Sequence, residues 1–337
     1  MTDPAATPPL PGLEQAAAGA FTPCRQAGLD RLHTFLPRAG KTYARLRNHD
    51  FGPGRRDNVS TLSPWIRHRL VTEHEVLRAT LARHTPSNAE KFVQEVVWRG
   101  YFKGWLEQRP TVWDSYRAGV DKGLEKLSRD TGLAMDHEAA VMGRTGIDAF
   151  DHWARELVET GYLHNHARMW FASIWIFTLR LPWELGADFF LRHLADGDPA
   201  SNTLGWRWVG GLHTKGKTYL ARASNIAKYT DGRFHPGHAL AHQAEPLTEE
   251  CEHPRQPLPP DDPMPEGDYL LLLTEEDGRV EELLPRPPTA MIALACPDAR
   301  SPLAVGDVAR AFASGAVTDA AGRAATAFGA DEWHETG

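Results

Sequence analysis

Between residues 160 and 208 the chain sets Asn, Arg, Asp and Trp at fixed spacings within otherwise apolar helical sequence: TGYLHNHARMW, then LADGDPASN, then GWRW. Polar and charged groups in such helices are costly unless each has a partner. A cluster of them therefore points to a buried polar ligand. The surroundings have the same helical character. From about Leu32 to Ala241, apolar residues recur at three- and four-residue spacing, with few alternating stretches.

A chain of 337 residues can bury a large core, and one large domain with a smaller one is the default. Its three cysteines, Cys24, Cys251 and Cys296, lie far apart in sequence. They form no CxxC and cannot supply four cluster ligands, so no metal is expected and a reducing cytoplasm fits. The N-terminus lacks a basic stretch followed by an apolar one, so no signal peptide is expected. The most apolar run, 169–179, is too short to span a bilayer and reads as a buried helix. The net charge of −7 is unevenly spread. Residues 245–337 hold 19 acidic and 6 basic side chains, whereas residues 1–244 hold 25 and 31. A phosphate-binding surface is compatible with the first part, although charge alone favours a helical enzyme with an acidic tail.

Composition and spacing divide the chain into a loose Ala/Pro-rich segment (1–30), a helical domain (31–244), a linker (245–267) and a small acidic α/β module (268–337). The linker includes seven prolines between 246 and 265. The spacing predicts helices over 64–83, 88–108, 147–160, 163–180 and 184–195, with Ser63 capping the first and Pro64 in its first turn. Strands are expected at 269–273 and 289–295, and an Ala-rich helix over 305–328. The module carries no glycine-rich phosphate fingerprint.

Several constellations carry chemistry. Glu95, Trp98, Arg99 and Phe102 share one face of a helix at i, i+3, i+4 and i+7. On pattern alone this is a solvent-facing stripe with an internal Glu–Arg pair. Asn165, Arg168 and Met169 also share a face, an arrangement that by itself is more often capping or packing than a site. Asp196-Gly197-Asp198 reads as a helix-ending turn. Lys215, Lys217, Arg222 and Lys228 form the densest basic run, which reads equally well as a solvated loop.

Taken in order, these motifs resemble the flavin-binding core of the photolyase/cryptochrome family over roughly residues 43–235. The resemblance implies a mainly α, photolyase-type FAD-binding domain, here with a small C-terminal α/β appendage. It also implies light-driven repair of cyclobutane pyrimidine dimers in DNA, a lyase reaction in which FAD is the cofactor. By resemblance, Glu95 hydrogen-bonds the dimer and Trp98 packs against it, with Phe92 in place of a more usual Trp. Asn165 lies near flavin and substrate, Arg168 beside the isoalloxazine ring, and Met169 against the dimer. Asp196 pairs with Arg168, Asp198 meets the ring edge or ribityl chain, Asn202 faces N5, and Arg99 lies by the flavin. Trp208 stacks on the substrate, while Trp206 and Trp183 serve as electron relay, with no counterpart found for an outermost relay Trp. Ser60, Thr61, Leu62 and Ser63 resemble the family's phosphate loop, with Tyr43 meeting the phosphates. Arg222 and Lys217 are expected on DNA.

Only 57 residues precede Asn58, so no N-terminal antenna domain is expected. The basic surface is short, which favours single-stranded DNA, and a monomer is expected. The Asn165/Met169 pair favours cyclobutane over (6-4) lesions, because (6-4) enzymes carry histidines at those places. The competing readings are a cryptochrome-like photoreceptor without repair activity and a nucleic-acid-binding helical module without cofactor.

Overall fold

The structure, a computed structural model, describes residues 21–329 and 334–336. Most of the assigned loose N-terminal segment lies outside these residues. Its end does not: α1 (Arg25–Phe35) begins inside it and buries Gly28, Leu32 and Phe35. Arg25 is anchored by Glu75 at 2.5 Å, which fixes the start of the helix.

Next come α2 (Lys41–Leu46) and, after a polar loop, α3 (Ser63–Arg67) and α4 (Glu73–Arg83). The single helix predicted over 64–83 is therefore two. Arg69 takes a left-handed φ of 52°, which ends α3, and Thr72 restarts the chain with a capping box closed by Glu75. Ser63 is not the predicted cap. Leu62 occupies that position, and Ser63 is the first helical residue. The long helices α5 (Pro86–Glu107), α6 (Pro110–Arg129) and α7 (Thr131–Val141) follow.

The inner layer is α8 (Asp148–Thr160), α9 (Asn165–Ser173), α10 (Trp183–His193) and α11 (Pro199–Gly210), with the short α12 (Ala223–Tyr229) beyond. Left-handed glycines Gly161 and Gly211 terminate α8 and α11. The helix predicted to run to residue 180 changes after Ser173 into a π-turn, Ile174–Thr178, and breaks at Arg180 (φ 57°). Flat aromatic contacts hold this layer together: Phe150 on Phe171 with ring centres 4.1 Å apart, and Trp153 on Trp170 at 5.5 Å.

The C-terminal part is a small parallel sheet of order β1-β2-β3: β1 (Leu270–Thr274), β2 (Ala290–Leu294) and β3 (His334–Thr336). Leu270 pairs with Ala290, and Ile292 with His334. The helix α13 (Asp307–Phe328) lies between two partners. Ala320, Ala321 and Ala324 pack on Leu273, Met291 and Ala293 of the sheet. Phe312 and Ala316 join the cluster of Leu32, Phe35, Trp65 and Phe92 in the helical domain. An alanine-rich helix can pack closely on both sides with little side-chain entropy to lose. The small α/β part thus packs directly against the helical core through α13. The first half of the proline-rich stretch is likewise fixed. Leu247 N–H donates to Gly210 O at 2.9 Å, and Gln256 N–H to Gln108 O at 2.7 Å. Among the described residues no helix is long and apolar enough to cross a membrane.

Candidate flavin and substrate cavity

Two packed regions face each other across a cavity of about 870 Å³. One wall comes from α2, the loop before α3, and α5. The opposite wall comes from α9, α10 and α11. The volume is in the range of small-molecule and cofactor sites.

Most residues singled out by sequence line this one cavity. Tyr43, Ser60, Thr61, Ser63, Phe92, Glu95, Trp98 and Arg99 stand on the first wall. Asn165, Arg168, Met169, Asp196, Asp198, Asn202, Trp206 and Trp208 stand on the second. Four lie elsewhere. Leu62 is fully buried beneath the loop in the core with Trp65. Trp183 is buried behind the cavity, with its ring 5.9 Å from Tyr116. Lys217 is exposed, and Arg222 borders a separate shallow groove with Tyr219 and Asn225. The rings edge-on to Trp206 are those of Phe190 at 5.2 Å, Trp175 at 6.1 Å and Phe171 at 6.4 Å.

Local structure explains the aim of each group. His164 caps α9 by accepting from His166 N–H at 3.1 Å. The first turns of α9 then carry Asn165, Arg168 and Met169 along the cavity. Arg168 Nη2 donates to both oxygens of Asp196, at 3.0 and 2.9 Å, and Nε to Leu163 O at 2.9 Å. Asp198 caps α11 through Ser201 N–H at 2.7 Å. Asn202 Nδ2 donates to Ala187 O at 2.7 Å, which leaves its amide oxygen as the free end. Arg31 fixes the serine loop by donating to Ser60 O at 2.7 Å and to Val59 O at 2.9 Å.

Sequence reasoning missed Arg47, which pairs with Glu95 across 48 residues of chain. It also missed Arg67 and Lys103, each 3.9 Å from Asp198, which join Arg99 at 3.8 Å. Burial alone would raise the Asp198 carboxyl, but Arg99, Arg67, the Ser201 amide and Lys103 outweigh it and hold it below the usual carboxylate range.

Trp206 Nε1 is buried in the cavity wall without a hydrogen-bond partner. Arg99 Nε and Nη2 are buried and make no hydrogen bond either, lying only in ion-pair range of Glu73 at 3.7 Å and Asp198 at 3.8 Å. Buried donors in native structures are nearly always hydrogen-bonded, so these leave room for acceptors on a bound ligand. A polar, ring-bearing cofactor with phosphates or carbonyls fits this donor set, the hydroxyls of the 60–63 loop and the Arg168–Asp196 pair.

Burial pushes the His164 imidazole down, with the neighbouring His166 and Arg168 charges adding to it against the pull of Asp50. Burial beside Arg192 pushes His193 down to about 4. Both are therefore neutral in the fold and gain a proton more readily when unfolded, where the imidazole value is about 6.5. Their contribution to stability is complete above that value and is lost progressively as pH falls from it toward the folded value, about 4 for His193. Each adds a slope of up to about 1.4 kcal/mol per pH unit. Urea midpoints measured at pH 7.5 and 5.5 should fall with acidification. H164N, which keeps a capping acceptor but cannot titrate, should show a shallower fall.

The comparisons with known proteins agree with this fold. Residues 92–234 match the family model described as the FAD binding domain of DNA photolyase. The deoxyribodipyrimidine photo-lyase of Synechococcus sp. is 30% identical over 216 residues, covering 61% of this chain and 43% of that protein. That of Thermus thermophilus is 33% identical over 225 residues, covering 65% and 47%. A class III photolyase structure from Agrobacterium tumefaciens aligns with a TM-score of 0.53 at 27% identity, covering 66% of this chain and 46% of that one. A Synechocystis cryptochrome shares the fold with a TM-score of 0.55 at 22% identity, covering 68% and 49%. Fold and cavity together define a photolyase-type FAD-binding domain. The helical part of the chain matches the FAD-binding domain of the photolyase/cryptochrome family. The chain spans less than half the length of these curated relatives.

Proposed function

We propose that this protein binds FAD and uses it for light-driven repair of cyclobutane pyrimidine dimers in DNA. The observation that carries the proposal is at the cavity mouth. Trp98 and Trp208 are 49% and 38% exposed there, beside Glu95, Asn165 and Met169. Large aromatics left in water next to converging polar groups suit a flat guest that stacks and hydrogen-bonds at once.

Arg168, Asp196, Asp198, Asn202 and Arg99 would hold the flavin, and Ser60, Thr61, Ser63 and Tyr43 its phosphates. Reduced FAD, when bound, supplies a light-absorbing electron donor. The chain does the rest by positioning. Glu95, held by Arg47, accepts from a pyrimidine ring N–H. The Asn165 amide donates to a ring carbonyl. Trp98 and Trp208 pack on the bases and take over the stacking that the lesion gives up when it is flipped from the helix. That flip costs a few kcal/mol and least where the base is damaged or single-stranded.

The test is blue-light irradiation of the reduced holoprotein with a single-stranded oligonucleotide carrying a thymine dimer. Restored thymine supports the proposal. Dimers that persist with reduced flavin confirmed refute it, and a slow light-induced change in oligomeric state would then favour a photoreceptor. W98A and W208A should each weaken dimer binding by about 1–3 kcal/mol, the worth of one stacked base, as read by oligonucleotide titration in the dark.

A further inference from the structure

A second constellation lies outside the cavity, on the stretch that joins the helical domain to the sheet. Glu249, Cys251 and His253 alternate along a segment with neither helix nor strand. Their donor atoms lie within 4.8 Å of one another. Cys251 Sγ is 3.6 Å from His253 Nε2, which is 3.3 Å from Glu249 Oε2. We propose that these three side chains bind a thiophilic divalent cation of the Zn²⁺ type, with a fourth position open to water.

The neighbours favour this. His253 Nδ1 lies 3.0 Å from Thr111 Oγ1 on α6. With the proton on Nδ1 and donated to that hydroxyl, the Nε2 lone pair faces the thiol and the carboxylate. Metal-binding histidines are held in this way by a partner on the other nitrogen. Ser115, one turn further along α6, has Oγ 3.5 Å from Cys251 Sγ, placed to donate to a thiolate. Arg207 on α11 grips Glu249 with both terminal nitrogens, at 2.7 and 2.5 Å, and fixes the carboxylate. One thiolate and one carboxylate, the latter shared with Arg207, supply the negative charge, and sulfur, nitrogen and oxygen donors together suit zinc over magnesium or calcium. Cys251 is exposed, so an entering ion has a path and a water keeps its place.

The experiment titrates Co²⁺, then Zn²⁺, into the full chain carrying C24S and C296S, so that Cys251 is the only thiol. The expected result is one equivalent of cobalt with a thiolate-to-metal charge-transfer band in the near ultraviolet, displaced by zinc. C251S or H253A should abolish the band. T111V, which keeps all three ligands but removes the partner of His253 Nδ1, should weaken binding about 10- to 100-fold. No band in the parent chain overturns the proposal, as does a band that survives C251S. Flavin content and repair do not enter the readout, so this result stands apart from the function proposed above.

Discussion

R168M should yield a protein that holds no flavin and unfolds about 3 kcal/mol more easily than the parent. The reason lies in the buried member of the pair. The Asp196 side chain is only 3% exposed, and both its oxygens accept from Arg168 Nη2. Removing one partner of a buried pair leaves an uncompensated charge and typically costs about 3–5 kcal/mol. Arg168 is 23% exposed, so water reaches part of the gap, and the lower end applies. Leu163 O loses its donor as well. Urea unfolding reads the stability loss, and the ratio of flavin to protein absorbance after FAD loading reads the binding loss. The double variant R168M/D196L separates the two effects. It should regain most of the stability, because replacing both partners by apolar groups removes the stranded charge, yet it should still bind no FAD. Flavin retained at the parent ratio in R168M would end the assignment of this pair to the cofactor.

Much of this cavity was legible in the sequence because its residues sit on regular helices. Asn165, Arg168 and Met169 share one face of α9 by spacing alone, and the structure brings that face to the cavity. The order of the motifs likewise anticipates which helices converge. What was not legible depends on contacts between distant segments. Nothing in the six residues of α2 announces that Arg47 reaches Glu95. The break at Arg69 follows from tertiary packing. His68 is buried between the carbonyls of Glu275 and Ala195, and no local signal overrides the helical pattern there. The restart was written in Thr72 and Glu75, a capping box inside the predicted helix. The alanine face of α13 marked a buried helix without saying that it would serve two cores at once. Alternation of Glu249, Cys251 and His253 acquires meaning only once the segment is known to be non-helical.

The attachment of the sheet to the helical domain gives the second large effect, and it falls on the less buried partner. Arg67 is 1% exposed, while the side chain of its partner Glu276 is 58% exposed. Two parallel hydrogen bonds join them, Nη1 to Oε2 at 2.6 Å and Nη2 to Oε1 at 2.5 Å, and Arg67 Nε donates to Gly197 O at 2.9 Å. In R67M the carboxylate of Glu276 turns to water at little cost, and the loss falls on the hydrogen bonds, the orphaned Gly197 carbonyl and one of the three cations around Asp198, of which Arg99 and Lys103 remain. In E276M the guanidinium stays buried under an apolar plug, beside Arg300, whose own three nitrogens are buried and unpaired. Breaking a buried pair from this side should cost about 3 kcal/mol or more, exceeding the cost of R67M. The pair R67M/E276M should be more stable than the sum of the two single losses implies, by about 1–3 kcal/mol, because neither stranded group remains. Urea denaturation of the four proteins measures all three quantities. If E276M were as stable as the parent, the ion pair would contribute nothing to the attachment of the sheet, which the α13 apolar contacts and the bonds of His68 with Glu275 and Gly278 would carry.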